Sequence, residues 1–408
     1  MGRHYSTRGF FRQIPNRLLA RYFQGRGLFA ELDFAVMKET RQDALFAAWL
    51  ELPEDHRNSM DAEFREVSAL GCEKGFCAIR DEAEWKLQED PESFRAFVEK
   101  MASLDGHYQR AMVTLLDHRD FWKGATLFYH ADSLSYWRKR KGLPHVVASV
   151  HEEGRSALAE QIRDYFRFVE GRGNNCVVEA FRRGELDYFF AYPEDYSQQS
   201  VEWVKGEFER RPHNPAFEVI YVYSQQDGTL DLNFRGSNKA LEPLQGMFAT
   251  AILKLPNLPP DPDDKSVYDL NPLRERGFQF IYEPASGIQS AAVKSIRLSS
   301  KVVRGNRITL EADVSSNRVA IFDLIDQVGR SVQLKFYNVT QAEIAVKVAV
   351  AADEPPKSVT IRMTYPNSCS LKYEDIDLTL RQMLADSGIE PKEPSTESLL
   401  ESPEVAEA

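Results

Sequence analysis

The stretch from Asn175 to Leu253 contains the same pattern twice. CVVEAF (Cys176–Phe181), the polar turn RRGE and LDYFFAY (Leu186–Tyr192) read as an aromatic-rich β-hairpin. FEVIYVY (Phe217–Tyr223), the turn SQQDG and TLDLNF (Thr229–Phe234) read as a second one. Between them, QQSVEWVKGEFERR (Gln198–Arg211) reads as a polar amphipathic helix, and Asn238–Leu253 as another. Each hairpin link is too short for a parallel crossover, so the pairing is antiparallel and the unit is a ββαββα module over residues 174–254. Many unrelated functions use such modules, so this pattern fixes a fold class and no activity.

Upstream, the text is helical. Pro15 suits a first turn, and Leu18, Leu19, Tyr22 and Phe23 recur at helical spacing until Gly25. Pro53 opens another helix that Gly71 closes, and Asp90 stands as an N-cap ahead of Pro91 and Glu92. Further helical segments, SLSYWRKRKG and SALAEQIRDYFRFVEGRG among them, extend a helical domain over residues 1–173. Downstream, residues 255–275 hold five prolines and read as a linker. Residues 276–389 then alternate with period two: VKSIRLSS, NRITLEAD, SVQLKFY, AEIAVKVAV and KSVTIRMTY read as strands. Helices are expected near Asn317–Val328 and over YEDIDLTLRQMLADSG. Residues 390–408 carry too few large apolar side chains to offset their ordering entropy, so a disordered acidic tail is expected. The expectation is an α+β multidomain chain: a helical N-terminal domain, the central module and a β-rich C-terminal domain.

Composition narrows the functional classes. The 408 residues are 43% apolar, enough to fold, and no apolar run approaches the ~20 residues that span a bilayer. Cys72, Cys77, Cys176 and Cys369 are scattered without metal or redox spacing, and the N-terminus shows no secretory h-region. Reduced thiols in the cytoplasm are therefore expected, with no membrane association. The net charge of −11 is unevenly placed: the first 26 residues hold six arginines and no carboxylate, and the last 19 hold six glutamates against one lysine.

Catalytic constellations are incomplete. There is no GxxxxGK[ST], no GxGxxG after a strand and no GxSxG. Five histidines (107, 118, 130, 145, 151) cluster in sequence without an HxxxH or HExxH pair. Asp323, Asp326, Gln333 and Lys335 fit a metal-dependent nuclease loosely, with Gln333 and Lys335 on an expected strand. Basic–aromatic text is the stronger signal. Trp137, Arg138, Lys139, Arg140 and Lys141 join an indole to four cations at an expected helix C-terminus, and Arg12, Arg17 and Arg21 could extend the surface. The leading expectation is a non-enzymatic interaction or regulatory subunit of a larger cytoplasmic assembly, without a cofactor, contacting a protein partner and also nucleic acid through these residues. The alternative is a metal-dependent nuclease or hydrolase built from scattered carboxylates and histidines.

Overall fold

The computed structural model describes residues 5–135, 137–204, 206–260, 267–349, 355–372 and 375–390. They form a mixed α and β protein with a helical N-terminal part and several sheets beyond it. The chain divides into two compact units, Met1–Leu134 with Phe181–Leu186, and Ser135–Ala180 with Asp187–Ala408.

The first unit is helical: α1 (Thr7–Phe11), α2 (Asn16–Gln24), α3 (Asp43–Leu50), α4 (Glu54–Leu70), α5 (Glu73–Lys86), α6 (Pro91–Ala102), α7 (His107–Asp117) and α8 (Arg119–Ser133). Their ends follow the sequence signals. The Asp90 carboxylate accepts from the Ser93 N–H at 3.1 Å with Pro91 opening α6, while Pro15 and Pro53 precede α2 and α4, and Gly25 and Gly71 follow them. Apolar faces converge on an aromatic knot. Phe11 sits edge-on to Phe23, Trp49 and Phe64 at centroid distances of 5.9, 5.8 and 5.8 Å. Arg183 belongs to this unit, donating to Asp81 at 2.8 Å and to both carboxylate oxygens of Asp132 at 2.9 Å.

Next along the chain come β1 (Arg138–Arg140), α9 (Glu152–Val169), β2 (Cys176–Arg183), β3 (Leu186–Pro193), β4 (Gln198–Val204), β5 (Glu207–His213), β6 (Val219–Ser224), β7 (Thr229–Phe234) and α10 (Leu241–Ala251), in the second unit save for the tip of the β2–β3 hairpin. One sheet runs β1-β7-β6-β3-β2, while β4 and β5 pair only with each other. Alternate residues of the sheet, Tyr221, Tyr223, Leu230 and Leu232 among them, pack with Leu158 and Ile162 of α9 and Phe248 of α10. This is the period-two pattern of a strand buried against helices.

Further on come β8 (Ile288–Ser300), β9 (Arg307–Glu311), α11 (Ala320–Gly329), β10 (Tyr337–Val348), β11 (Lys357–Thr364), β12 (Ser368–Cys369) and α12 (Asp375–Asp386). Their antiparallel sheet has the order β12-β11-β10-β8-β9 and buries Ile296, Ile344 and Ile361 with Ile321 of α11 and Leu384 of α12.

Four expectations change at the level of elements. Gln198–Arg211 is a β-hairpin, not a helix: Val201, Trp203 and Phe208 favour strand, and Gly206, at φ 85°, supplies the turn that a helix interior would penalise. The helix expected over SLSYWRKRKG is not formed at Arg138–Arg140, which pair antiparallel with Leu230–Leu232. SVQLKFY forms a 3-10 turn at Leu334–Phe336 before β10 begins. The expected linker is partly core, since Val267, Tyr268, Leu270 and Leu273 are buried beneath the second sheet. Its residues 261–266 and the expected disordered tail from 391 lie outside the described residues.

Candidate interaction surface

The β4–β5 ribbon starts from a fixed base. Glu194 and Ala216 form a single antiparallel bridge, the Asp195 N–H donates to the Pro215 carbonyl at 2.7 Å, and the Phe217 N–H donates to the Pro193 carbonyl at 2.9 Å. Arg172 locks this base by donating to Glu170 and Asp195 at 2.7 Å each, with its guanidinium 3.8 Å from the Phe217 ring centroid. Burial opposes ionisation of Asp195, but the Arg172 and Tyr196 N–H hydrogen bonds outweigh it and hold the carboxyl below its usual range. The ribbon therefore leaves the sheet from an anchored pair of strands.

Register sorts its side chains onto two faces. Gln199 lies opposite Pro212, Val201 opposite Arg210 and Trp203 opposite Phe208, and these six share one face. The other face carries Ser200, Glu202, Glu209 and Arg211. There the Ser200 hydroxyl bonds to Glu202 and Arg211 pairs with Glu209 at 3.8 Å. Both faces meet solvent, and on the aromatic one Val201 is 60% exposed, Trp203 69% and Phe208 56%. The Trp203 and Phe208 rings meet edge-on at 5.6 Å, which keeps both in place without burying them. Val201, Trp203 and Phe208 thus form one exposed apolar patch on the ribbon.

The residues singled out by sequence are distributed otherwise. Trp137, Lys139 and Arg140 are buried, and Arg138 and Lys141 are half-buried. Lys139 donates to Glu390 at 2.8 Å and lies 3.9 Å from Asp231. Burial works against the Glu390 carboxylate, yet Lys139 and Arg381 hold it below its usual range. Arg140 donates to Gln245 at 3.2 Å and to the Pro259 carbonyl at 2.7 Å, and Arg138 donates to Ser368 at 3.3 Å. These five residues are not one solvent-facing row: Lys139 and Arg140 are buried against a carboxylate, an amide and a carbonyl. Arg12, Arg17 and Arg21 are exposed on the first unit, Arg17 bonding Gln109 and Arg21 pairing with Asp117.

The nuclease set is not assembled. Gln333 precedes a 3-10 turn and Lys335 lies within it, and Asp323 and Asp326 on α11 are both bonded by Arg276, at 2.7 Å. Among the described residues no group of three His, Cys, Asp or Glu side chains is placed to hold a metal ion. Two acids at the end of β3 have structural partners, Glu194 accepting from Asn175 and Asn214 while Asp195 is held by Arg172. Burial pushes the Cys176 thiol up to about 12, far from a nucleophile's range. Sequence reasoning missed the ribbon, although the alternation Val201, Trp203 before a Gly206 turn carried the signal.

No family model matches the chain, and no curated protein matches it. Among the described residues no helix is long and apolar enough to cross a membrane.

Proposed function

We propose that the chain is a non-enzymatic interaction subunit of a larger cytoplasmic assembly, and that it engages a protein partner through the aromatic face of the β4–β5 ribbon. The observation that carries this reading is the gathering of Val201, Trp203 and Phe208, all exposed, on one face of the ribbon, with its carboxylates kept to the other. Full burial of such side chains stabilises a contact by roughly 1.5–3 kcal/mol apiece. Four free cysteines support a reducing location.

The native mass of the protein in extracts of its own cells tests this. Wild type should run in a complex larger than the free chain, and Trp203→Ser with Phe208→Ser should release it at free-chain mass while the fold, read by circular dichroism, is kept. Identical masses for both would remove the reading. Nucleic acid stays in the proposal only through the exposed Arg12, Arg17 and Arg21. Binding that weakens with salt in wild type, and no longer responds to salt after all three become Gln, supports that part.

A further inference from the structure

The aromatic face of the ribbon is complementary to itself. Two of its adjacent rows are Val201 with Arg210 and Trp203 with Phe208, and the face holds no carboxylate. Successive rows on one face of a strand are separated by roughly 6.6–6.8 Å. A two-fold axis lying in the plane of contact, across the strands and midway between those rows, exchanges them. Arg210 then lies over the Phe208 ring of a second copy, Val201 lies against the second copy's Trp203, and the two arginines stay apart. The contact is isologous, so each pairing occurs twice. Building on the ribbon as the contact surface, we propose that its occupant is a second copy of this chain, held by paired cation–ring and apolar contacts across that axis.

Size sets the strength. Two strands of seven residues offer a face roughly 24 Å long and 10 Å wide. A stable dimer needs about 800 Å² from each partner, several times that face. The dimer is therefore reversible, with a dissociation constant in the micromolar range or weaker.

Sedimentation velocity on the purified full-length chain, over a concentration series from low to several hundred micromolar, tests the proposal. Wild type is expected to pass from monomer to dimer. Trp203→Ser with Phe208→Ser should stay monomeric at every concentration, with thermal melting and circular dichroism unchanged because these side chains are exposed. Arg210→Lys, which keeps a cation, should dimerise close to wild type. Arg210→Glu should weaken the dimer about fivefold to thirtyfold, the factor expected for two exposed cation–ring pairs. A wild-type chain monomeric throughout overturns the proposal. So does a dimer that persists in the double serine variant, or one indifferent to Arg210→Glu. Only this chain is present in the experiment, so a monomeric result removes the second copy alone. The broader interaction reading fails separately, on native mass in extracts.

Discussion

At the scale of single residues, burial and pairing decide which ionisable groups matter. Glu82 on α5 is 1% exposed, with Lys86 at 3.9 Å as its near cation and Oε2 without a hydrogen-bond partner. Burial, with Asp120 adding to it against Lys86, pushes its carboxyl up to about 7 from the usual 4.5. An unfolded chain releases this proton near 4.5, so between 4.5 and 7 the folded state binds more protons and stability falls as pH rises. The loss totals roughly 3 kcal/mol and is complete above neutrality. His107 and His118, whose basicity is reduced first by burial, act in the opposite sense over part of that range. The informative quantity is therefore the difference between wild type and Glu82→Gln. Denaturant melts from pH 5 to pH 8 should show the variant gaining on wild type as pH rises and exceeding it at pH 8; parallel profiles would contradict the assignment. Lys139 offers a second test. Lys139→Met removes the nearer of two cations from Glu390, leaving Arg381 at 3.9 Å, and should cost about 1.5–3 kcal/mol of stability, whereas the same change in a solvated basic row would cost almost nothing.

Elements were legible where a local signal sufficed and opaque where a distant partner decided. The helices of the first unit announced themselves through Pro15, Pro53, Asp90 and Gly71, because caps and first turns are set by neighbours in sequence. The two hairpins Cys176–Tyr192 and Phe217–Phe234 were visible from alternation and turn residues. β1 was not, since Arg138–Arg140 become a strand only by pairing with β7, about ninety residues on. The ribbon failed for another reason: its polar residues mimic a helix's solvated face, and Gly206 was given too little weight. That neither face of the ribbon is covered is a fact of tertiary placement that no local pattern contains. Helix packing supplies a test at this scale. A Cβ at Gly124 of α8 would run into the buried Glu82 carboxyl group of α5, so this carboxyl is seated where it is because that position is glycine. Gly124→Ala should destabilise the protein by about 1–3 kcal/mol in thermal melts, while Gly246→Ala, where a Cβ meets nothing within 4 Å, should be neutral or slightly stabilising. Equal effects would contradict this seating.

For the molecule as a whole, two compact units imply more than one cooperative transition. Trp49 and Trp122 report on the first unit, Trp137 and Trp203 on the second. Variants retaining tryptophan in one unit only should give urea midpoints that differ between the units, and superimposable curves would indicate a single cooperative block. The proposed contact lies on one face of the two-stranded ribbon. A photoreactive residue placed at Val201 points from the aromatic face, and the same residue at Ser200, one position away, points from the opposite face. Irradiation in the cells that make the protein should give a discrete cross-linked species from position 201 and little or none from position 200. Equal yields from both positions, or no adduct from position 201, would contradict the account.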